Sequence, residues 1–198
     1  MAIAAGASAL GLVSEMPSGP GVISEALITE IAAAMPPAVA SFLLTSRQDV
    51  PSLIAQQRRT GANTLQLVDR LETGTYDELR AALPGISIVQ VIHVTGPESL
   101  EEAVAVAPYV HGLLLDSGNP SLAVKELGGT GRRHDWSISR RIRDAVAVPL
   151  FLAGGLTPEN VAEAIAEVDP FGLDICSGVR TDGHLDPEKL SRFFRAIG

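Results

Sequence analysis

Only one cysteine, Cys176, occurs in the 198 residues. This excludes an internal disulfide framework and fits a reducing compartment, so the cytoplasm is the expected location. Positive charge is scarce as well. Fifteen Lys and Arg against 23 Asp and Glu leave a net charge of -8 and a pI of about 4.9, with no basic field to draw in nucleic acid or an anionic membrane. An anionic ligand must be held by local groups. Long apolar runs are missing too. The Ala-rich opening from Met1 to Val13 is broken by Gly6, Ser8 and Gly11 and has no basic start, so it reads neither as a secretory signal nor as a membrane span. His111, His134 and His184 have no partner at metal-ligand spacing, which gives no reason to expect a zinc site. No low-complexity stretch or internal repeat occurs.

What is present is enough for one core. A hydrophobic content of 46% over this length suits a single domain spanning residues 1–198. Short aliphatic runs alternate with amphipathic segments, the pattern of a parallel sheet with crossover helices. Strands are expected at Ala9 to Val13, Ala38 to Leu44, Thr64 to Val68, Ser87 to His93, Gly112 to Leu115, Pro149 to Ala153 and Gly172 to Cys176. Helices are expected at Ser24 to Met35, Val50 to Thr60, Tyr76 to Leu83, Ser99 to Ala105, Ser137 to Ala145, Pro158 to Glu167 and Pro187 to Ile197. Ser24, Ser137, Thr157 and Asp186 are placed to cap helix starts, and Pro158 and Pro187 suit first turns. The stretch from Ser117 to His134 is polar, rich in Gly and long for a βα connection, and barrel enzymes place functional groups in such loops.

Three glycine-containing turns follow the last three strands: Gly128-Gly129-Thr130-Gly131, Gly154-Gly155-Leu156-Thr157 and Ser177-Gly178-Val179. Each alone is also an ordinary βα turn. Three at consecutive strand ends favour a phosphate cradle, since glycine lets backbone N–H groups approach an anion and helix N-termini add partial positive charge. Asp116 ends an apolar run, which places it at the mouth of the sheet. There it is either a general acid or base, if burial raises its pKa, or a cap or loop carboxylate. Asp174 and Cys176, two apart in an expected strand, share a face. Asp174, charged within an apolar run, is expected to point into a polar site. Cys176 is either a site thiol or a core filler. His93 ends a strand and can face the mouth, and Trp136 anchors the start of the helix after the long loop.

The strings LLLDS at 113–117, GGTGRRHDWS at 128–137, LAGGLTPENVAEAI at 152–165, LDICSGVR at 173–180 and LDPEKL at 185–190 resemble successive motifs of the phosphoribosylanthranilate isomerase family. LQLVD at 65–69, VIHV at 91–94 and AGASALGLV at 5–13 continue the resemblance more weakly. It implies a (β/α)8 TIM-barrel-type fold. It also implies an aldose–ketose isomerase of tryptophan biosynthesis that converts N-(5'-phosphoribosyl)anthranilate into 1-(2-carboxyphenylamino)-1-deoxyribulose 5-phosphate by an Amadori rearrangement. Asp116 would then be the general acid that protonates the ribose ring oxygen. Gly129, Thr130, Gly131, Gly154, Gly155, Asp174, Ser177 and Gly178 would hold the phosphosugar. No metal or organic cofactor is implied, because the imine is the electron sink.

Departures accompany the matches. The family's cysteine base lies in a KICG-like motif on a first strand, and the resemblance begins here within the first helix, so seven strands are expected and that cysteine has no counterpart. The basic residue expected after the second strand is missing from Pro17 to Gly21, and Leu67-Val68-Asp69 stands where the family tends to have LHG. Two expectations follow. In one, Cys176 replaces the base from the strand beside the vacated position. In the other, the protein binds a phosphosugar without turnover. The edges Ala9 to Val13 and Gly172 to Cys176 are expected to close on each other or to pair with a second copy, giving a homodimer.

Overall fold

The computed structural model describes residues 1–17, 19–129 and 131–198. Seven parallel strands run side by side in chain order: β1 Ala9–Val13, β2 Ala40–Thr45, β3 Thr64–Leu67, β4 Ser87–His93, β5 Gly112–Asp116, β6 Leu150–Leu152 and β7 Gly172–Leu173. The helices are α1 Ala2–Ala5, α2 Glu25–Ala33, α3 Val50–Thr60, α4 Tyr76–Ala82, α5 Ser99–Val106, α6 Trp136–Ala145, α7 Val161–Val168 and α8 Pro187–Ile197. Among the described residues the only strand that pairs with β1 is β2, beside an isolated parallel bridge from Val13 to Val22, and the only one that pairs with β7 is β6. The expected seven-stranded barrel-type sheet is therefore present, and its two edges do not close on each other.

Strand alternation sorts the core into two layers. Leu12, Leu43, Leu65, Leu67, Ile88, Ile92, Leu113, Leu115, Leu150 and Leu152 face the helices in one large cluster. Burying each such side chain contributes about 2 kcal/mol. The opposite parity lines the concave interior, where Val68, Val89, Val91, Leu114 and Ala153 meet Phe42, Leu44 and Phe151. Phe151 fills this space because Gly172 beside it carries no side chain: a Cβ there would stand 2.8 Å from the ring. The same parity aims His93, Asp116 and Asp174 inward.

Several local expectations need correction. The run from Gly172 to Cys176 pairs over only two residues, and Cys176 sits at a bend before a 3-10 turn at Ser177–Val179. β6 is itself only three residues long, so β7 exhausts its ladder when Asp174 N–H donates to the Leu152 carbonyl at 2.9 Å. Ser24 and Asp186 cap α2 and α8 as expected. However, α6 is capped by Asp135, whose carboxylate accepts from Ser137 N–H. Thr157 instead closes a turn through Glu159 N–H, and α7 starts only at Val161. A hairpin of β8 Arg180–Thr181 and β9 His184–Leu185 adds to the expected strands; its turn residues Asp182 and Gly183 have φ of 49° and 78°.

Candidate functional site

Two carboxylates face the mouth of the sheet. Asp116 closes β5, where the run LLLD carries the chain from the core to the mouth of the sheet while still buried. It is 8% exposed, and its Oδ1 accepts the Ser117 N–H at 2.7 Å. Burial pushes its pKa up, opposed by the Ser117 N–H and by His93. Asp174 lies at the same mouth beyond β7. Burial first, and the Asp116 charge second, push its pKa up to about 6. A carboxyl tuned toward neutrality beside another is a usual arrangement for exchanging protons with a substrate.

His93 is the register partner of Asp116 on the adjacent strand and is 8% exposed. Its Nε2 lies 2.9 Å from the Val68 carbonyl, which can only accept, so Nε2 carries the proton. Its buried Nδ1 has no partner among the described residues. Beside it, Asp69 Oδ2 accepts from Lys125 Nζ at 2.5 Å. Lys125 belongs to the long loop, which folds back over the mouth and seats Leu127 in the interior cluster.

The second feature is a cleft of about 320 Å³ lined by Gly131, Gly155, Leu156, Thr157, Ser177, Gly178, Lys189 and Arg192, among others. The turn after β6 is braced internally, because Asn160 donates to the Gly155 carbonyl at 2.9 Å and accepts the Thr157 N–H at 2.8 Å. Only glycine lets the next turn approach it, since a Cβ on Gly178 would stand 1.9 Å from the Leu156 carbonyl oxygen. Lys189 Nζ donates to the Arg180 carbonyl at 2.8 Å, and Arg192 pairs with Glu159 at 2.5 Å. Two cations and glycine backbone around one cleft can hold a small dianion.

Of the residues singled out from sequence, Asp116 and Asp174 come together at the mouth, and Gly131, Gly155, Ser177 and Gly178 come together around the cleft. Gly154 lies between the two, where a Cβ would stand 3.0 Å from Ser117 N and 3.1 Å from His134 Nδ1. Gly129 packs on Pro20 and does not line the cleft. Thr130 lies outside the described residues. Cys176 is half-buried just ahead of the cleft. Sequence reasoning missed Lys189 and Arg192, although they are three apart near the start of a capped helix and so share a face. It also missed the bracing Asn160 and the buried His134, whose Nε2 lies 2.7 Å from Ser139 Oγ. Among the described residues no His, Cys, Asp and Glu cluster is placed to hold a metal, and no helix is long and apolar enough to cross a membrane.

Known proteins resemble this chain in sequence and fold. The family model for N-(5'-phosphoribosyl)anthranilate (PRA) isomerase matches residues 9–196. The N-(5'-phosphoribosyl)anthranilate isomerase of Haloferax volcanii is 38% identical over 194 residues, covering 98% of this chain and 84% of the relative. The crystal structure of phosphoribosyl anthranilate isomerase from Thermotoga maritima is similar with a TM-score of 0.79 at 27% identity, over 98% of this chain and 90% of that one. A phosphoribosyl anthranilate isomerase in complex with reduced 1-(o-carboxyphenylamino)-1-deoxyribulose 5-phosphate is similar with a TM-score of 0.76 at 25% identity, over 98% and 89% of the two chains. The strand order, the inward carboxylates and these likenesses converge: the chain belongs to the N-(5'-phosphoribosyl)anthranilate isomerase family.

Proposed function

We propose that this protein isomerises N-(5'-phosphoribosyl)anthranilate to 1-(2-carboxyphenylamino)-1-deoxyribulose 5-phosphate, the reaction named for its relatives. The observation that carries this reading is the pair of inward carboxylates, Asp116 and Asp174, both pushed toward neutrality beside an anion-sized cleft. The cleft seats the sugar phosphate through Gly155, Ser177, Gly178, Lys189 and Arg192. This leaves the reacting carbons over the mouth.

Asp116, buried and biased toward its protonated form, gives its proton to the ribose ring oxygen as the C1–O bond breaks and the anilino nitrogen forms the imine. A base then takes the proton from C2, and those electrons move into the imine to give an enolamine. Tautomerisation to the ketone completes the exchange. Asp174, with its pKa near 6, is suited to be that base, because a group of this strength is ionised at neutral pH yet still accepts a proton. Cys176 is the second candidate, half-buried two residues further on.

The test is an assay of the purified protein with the phosphoribosylated anthranilate, run with Asp116→Asn, Asp174→Asn and Cys176→Ala. Turnover that falls about 10²- to 10⁴-fold in the first two, and little in the third, supports the assignment. A loss confined to Cys176→Ala moves the base to the thiol. Binding of the product without any turnover would instead mark a phosphosugar-binding protein.

A further inference from the structure

We propose that Lys125 decides specificity at the aromatic end of the substrate, exchanging its bond to Asp69 for one to the ring carboxylate. The proposal rests on the reading that the ligand is a phosphoribosylated anthranilate whose phosphate takes the cleft, and it names the group that recognises the other end. Lys125 Nζ donates to Asp69 Oδ2 at 2.5 Å. Asp69, two residues past β3 and 7% exposed, also accepts the Arg70 N–H at 2.8 Å through Oδ1. The ion pair thus stands on the mouth three strands from β6, about 14 Å along the arc from the turn that begins the cleft. A phosphoribosyl group extended by an aryl ring is of that length. Neighbouring cations of the rim are held by the helices, Arg47 by Glu25 of α2 at 3.8 Å and Arg70 by Glu102 of α5 at 2.7 Å.

Lys125 does not move alone. Asn119 and Glu126 exchange backbone hydrogen bonds of 2.8 and 3.0 Å, which ties this part of the long loop into a unit. Lys125 and Leu127 flank Glu126, and both turn to the mouth, the first to Asp69 and the second into the interior cluster. Gly128 follows and covers Asp116, so close that a Cβ would stand 2.7 Å from Oδ2. A ligand that reaches Asp116 must lift this segment, and lifting it draws Lys125 from Asp69. Separating a buried carboxylate from its cation is costly. A carboxylate on the ligand gives the ammonium a new partner and offsets that cost, whereas a ligand without one leaves it unmet. The loop over the general acid thereby selects an acidic ring.

The test needs no turnover. Calorimetric titration compares the product, 1-(2-carboxyphenylamino)-1-deoxyribulose 5-phosphate, with its phenylamino counterpart that lacks the ring carboxylate. The unmodified protein is expected to prefer the carboxylated ligand about 10- to 100-fold, the scale of one charge-assisted hydrogen bond. Lys125→Gln should abolish that preference and hold the second ligand at least as tightly as before. A preference that survives in Lys125→Gln, which is what a merely structural lysine gives, overturns the proposal. Asp69→Asn removes the bond that must break, so it should keep the preference and tighten both ligands about three- to tenfold. Tightening of neither would show that the pair stays intact on binding, and overturns it too. Should Lys125→Gln fail to fold, the double variant with Asp69→Asn leaves no unpaired charge and must likewise lose the preference. If the unmodified protein binds both ligands equally, this proposal alone fails; if it binds neither, the substrate reading fails with it.

Discussion

Gly128 lies directly over Asp116: a Cβ built on it would stand 2.7 Å from Oδ2, and its backbone sits at φ 132°. No L-residue with a side chain adopts that conformation readily, and none fits above the carboxylate. Gly128→Ala is expected to cost about 1–3 kcal/mol of stability through backbone strain. It is also expected to lower kcat/KM at least about tenfold by displacing Oδ2. Thermal melting and steady-state kinetics on the same variant check both. Unchanged kinetics would show that the position of Oδ2 is not critical.

Asp174 predicts an unusual slope of stability against pH. Its folded pKa of about 6 lies above the ordinary 3.8, so the fold favours the protonated form. That contribution is complete below pH 3.8, shrinks as the unfolded chain ionises first, and is lost above pH 6. A shift of this size corresponds to about 3 kcal/mol. Asp174→Asn keeps the neutral shape, so it is expected to stabilise the protein at pH 8 by up to about that amount and to change little near pH 4. Urea unfolding at the two pH values measures the difference, and equal effects at both would refute the burial argument.

The sheet was legible because its signal is periodic. Runs such as LQL and LLLD leave little choice of state, and parity then aims Asp116 inward. The ends were less legible for identifiable reasons. β7 stops early because β6 offers it only three residues to pair with, a tertiary fact that no local pattern in LDIC records. The β8–β9 hairpin was readable in principle, since Asp182-Gly183 is a strong turn signal, but two-residue strands carry no alternation to announce them. Ser137 reads from sequence as a cap, although Asp135, two residues earlier, holds that role with a better acceptor. In the site, the carboxylates and glycine turns could be found because each residue type implies its chemistry. His93 reads from sequence only as a strand end that can face the mouth, and Lys125 does not stand out at all, because their meaning lies in what stands opposite: Asp116 across the β4–β5 ladder and Asp69 across 56 residues of chain.

His134 tilts the stability curve the other way. Burial is the main cause that lowers its pKa from 6.5 to about 4, so the folded state holds it neutral. Stability is complete above pH 6.5 and is lost as pH falls toward 4, because the unfolded chain takes up the proton first. The full loss is about 3 kcal/mol. His134→Gln is expected to flatten this acid limb, whereas Asp174→Asn removes the opposing slope, so the two variants should rotate the same curve in opposite senses between pH 4 and 6. Denaturant midpoints at half-unit intervals of pH would resolve them. A His134→Gln curve parallel to the parent would mean that the imidazole is protonated in the fold.

Among the described residues Glu159 is the one acid lining the cleft, and it occupies Arg192 at 2.5 Å. The Thr157 hydroxyl above all, with help from Arg192, holds its carboxyl below the ordinary range, so it is charged at neutral pH. A phosphate entering the cleft must compete with that carboxylate for the guanidinium and meets its repulsion. Glu159→Gln removes both obstacles and keeps the shape, so inorganic phosphate should bind roughly three- to tenfold more tightly at low salt. That gain should shrink as ionic strength shortens the range of the interaction. Arg192→Ala should weaken binding by a similar factor. Calorimetric titration of all three proteins at two salt concentrations decides the matter, because a cleft that does not take phosphate would leave every affinity where it was.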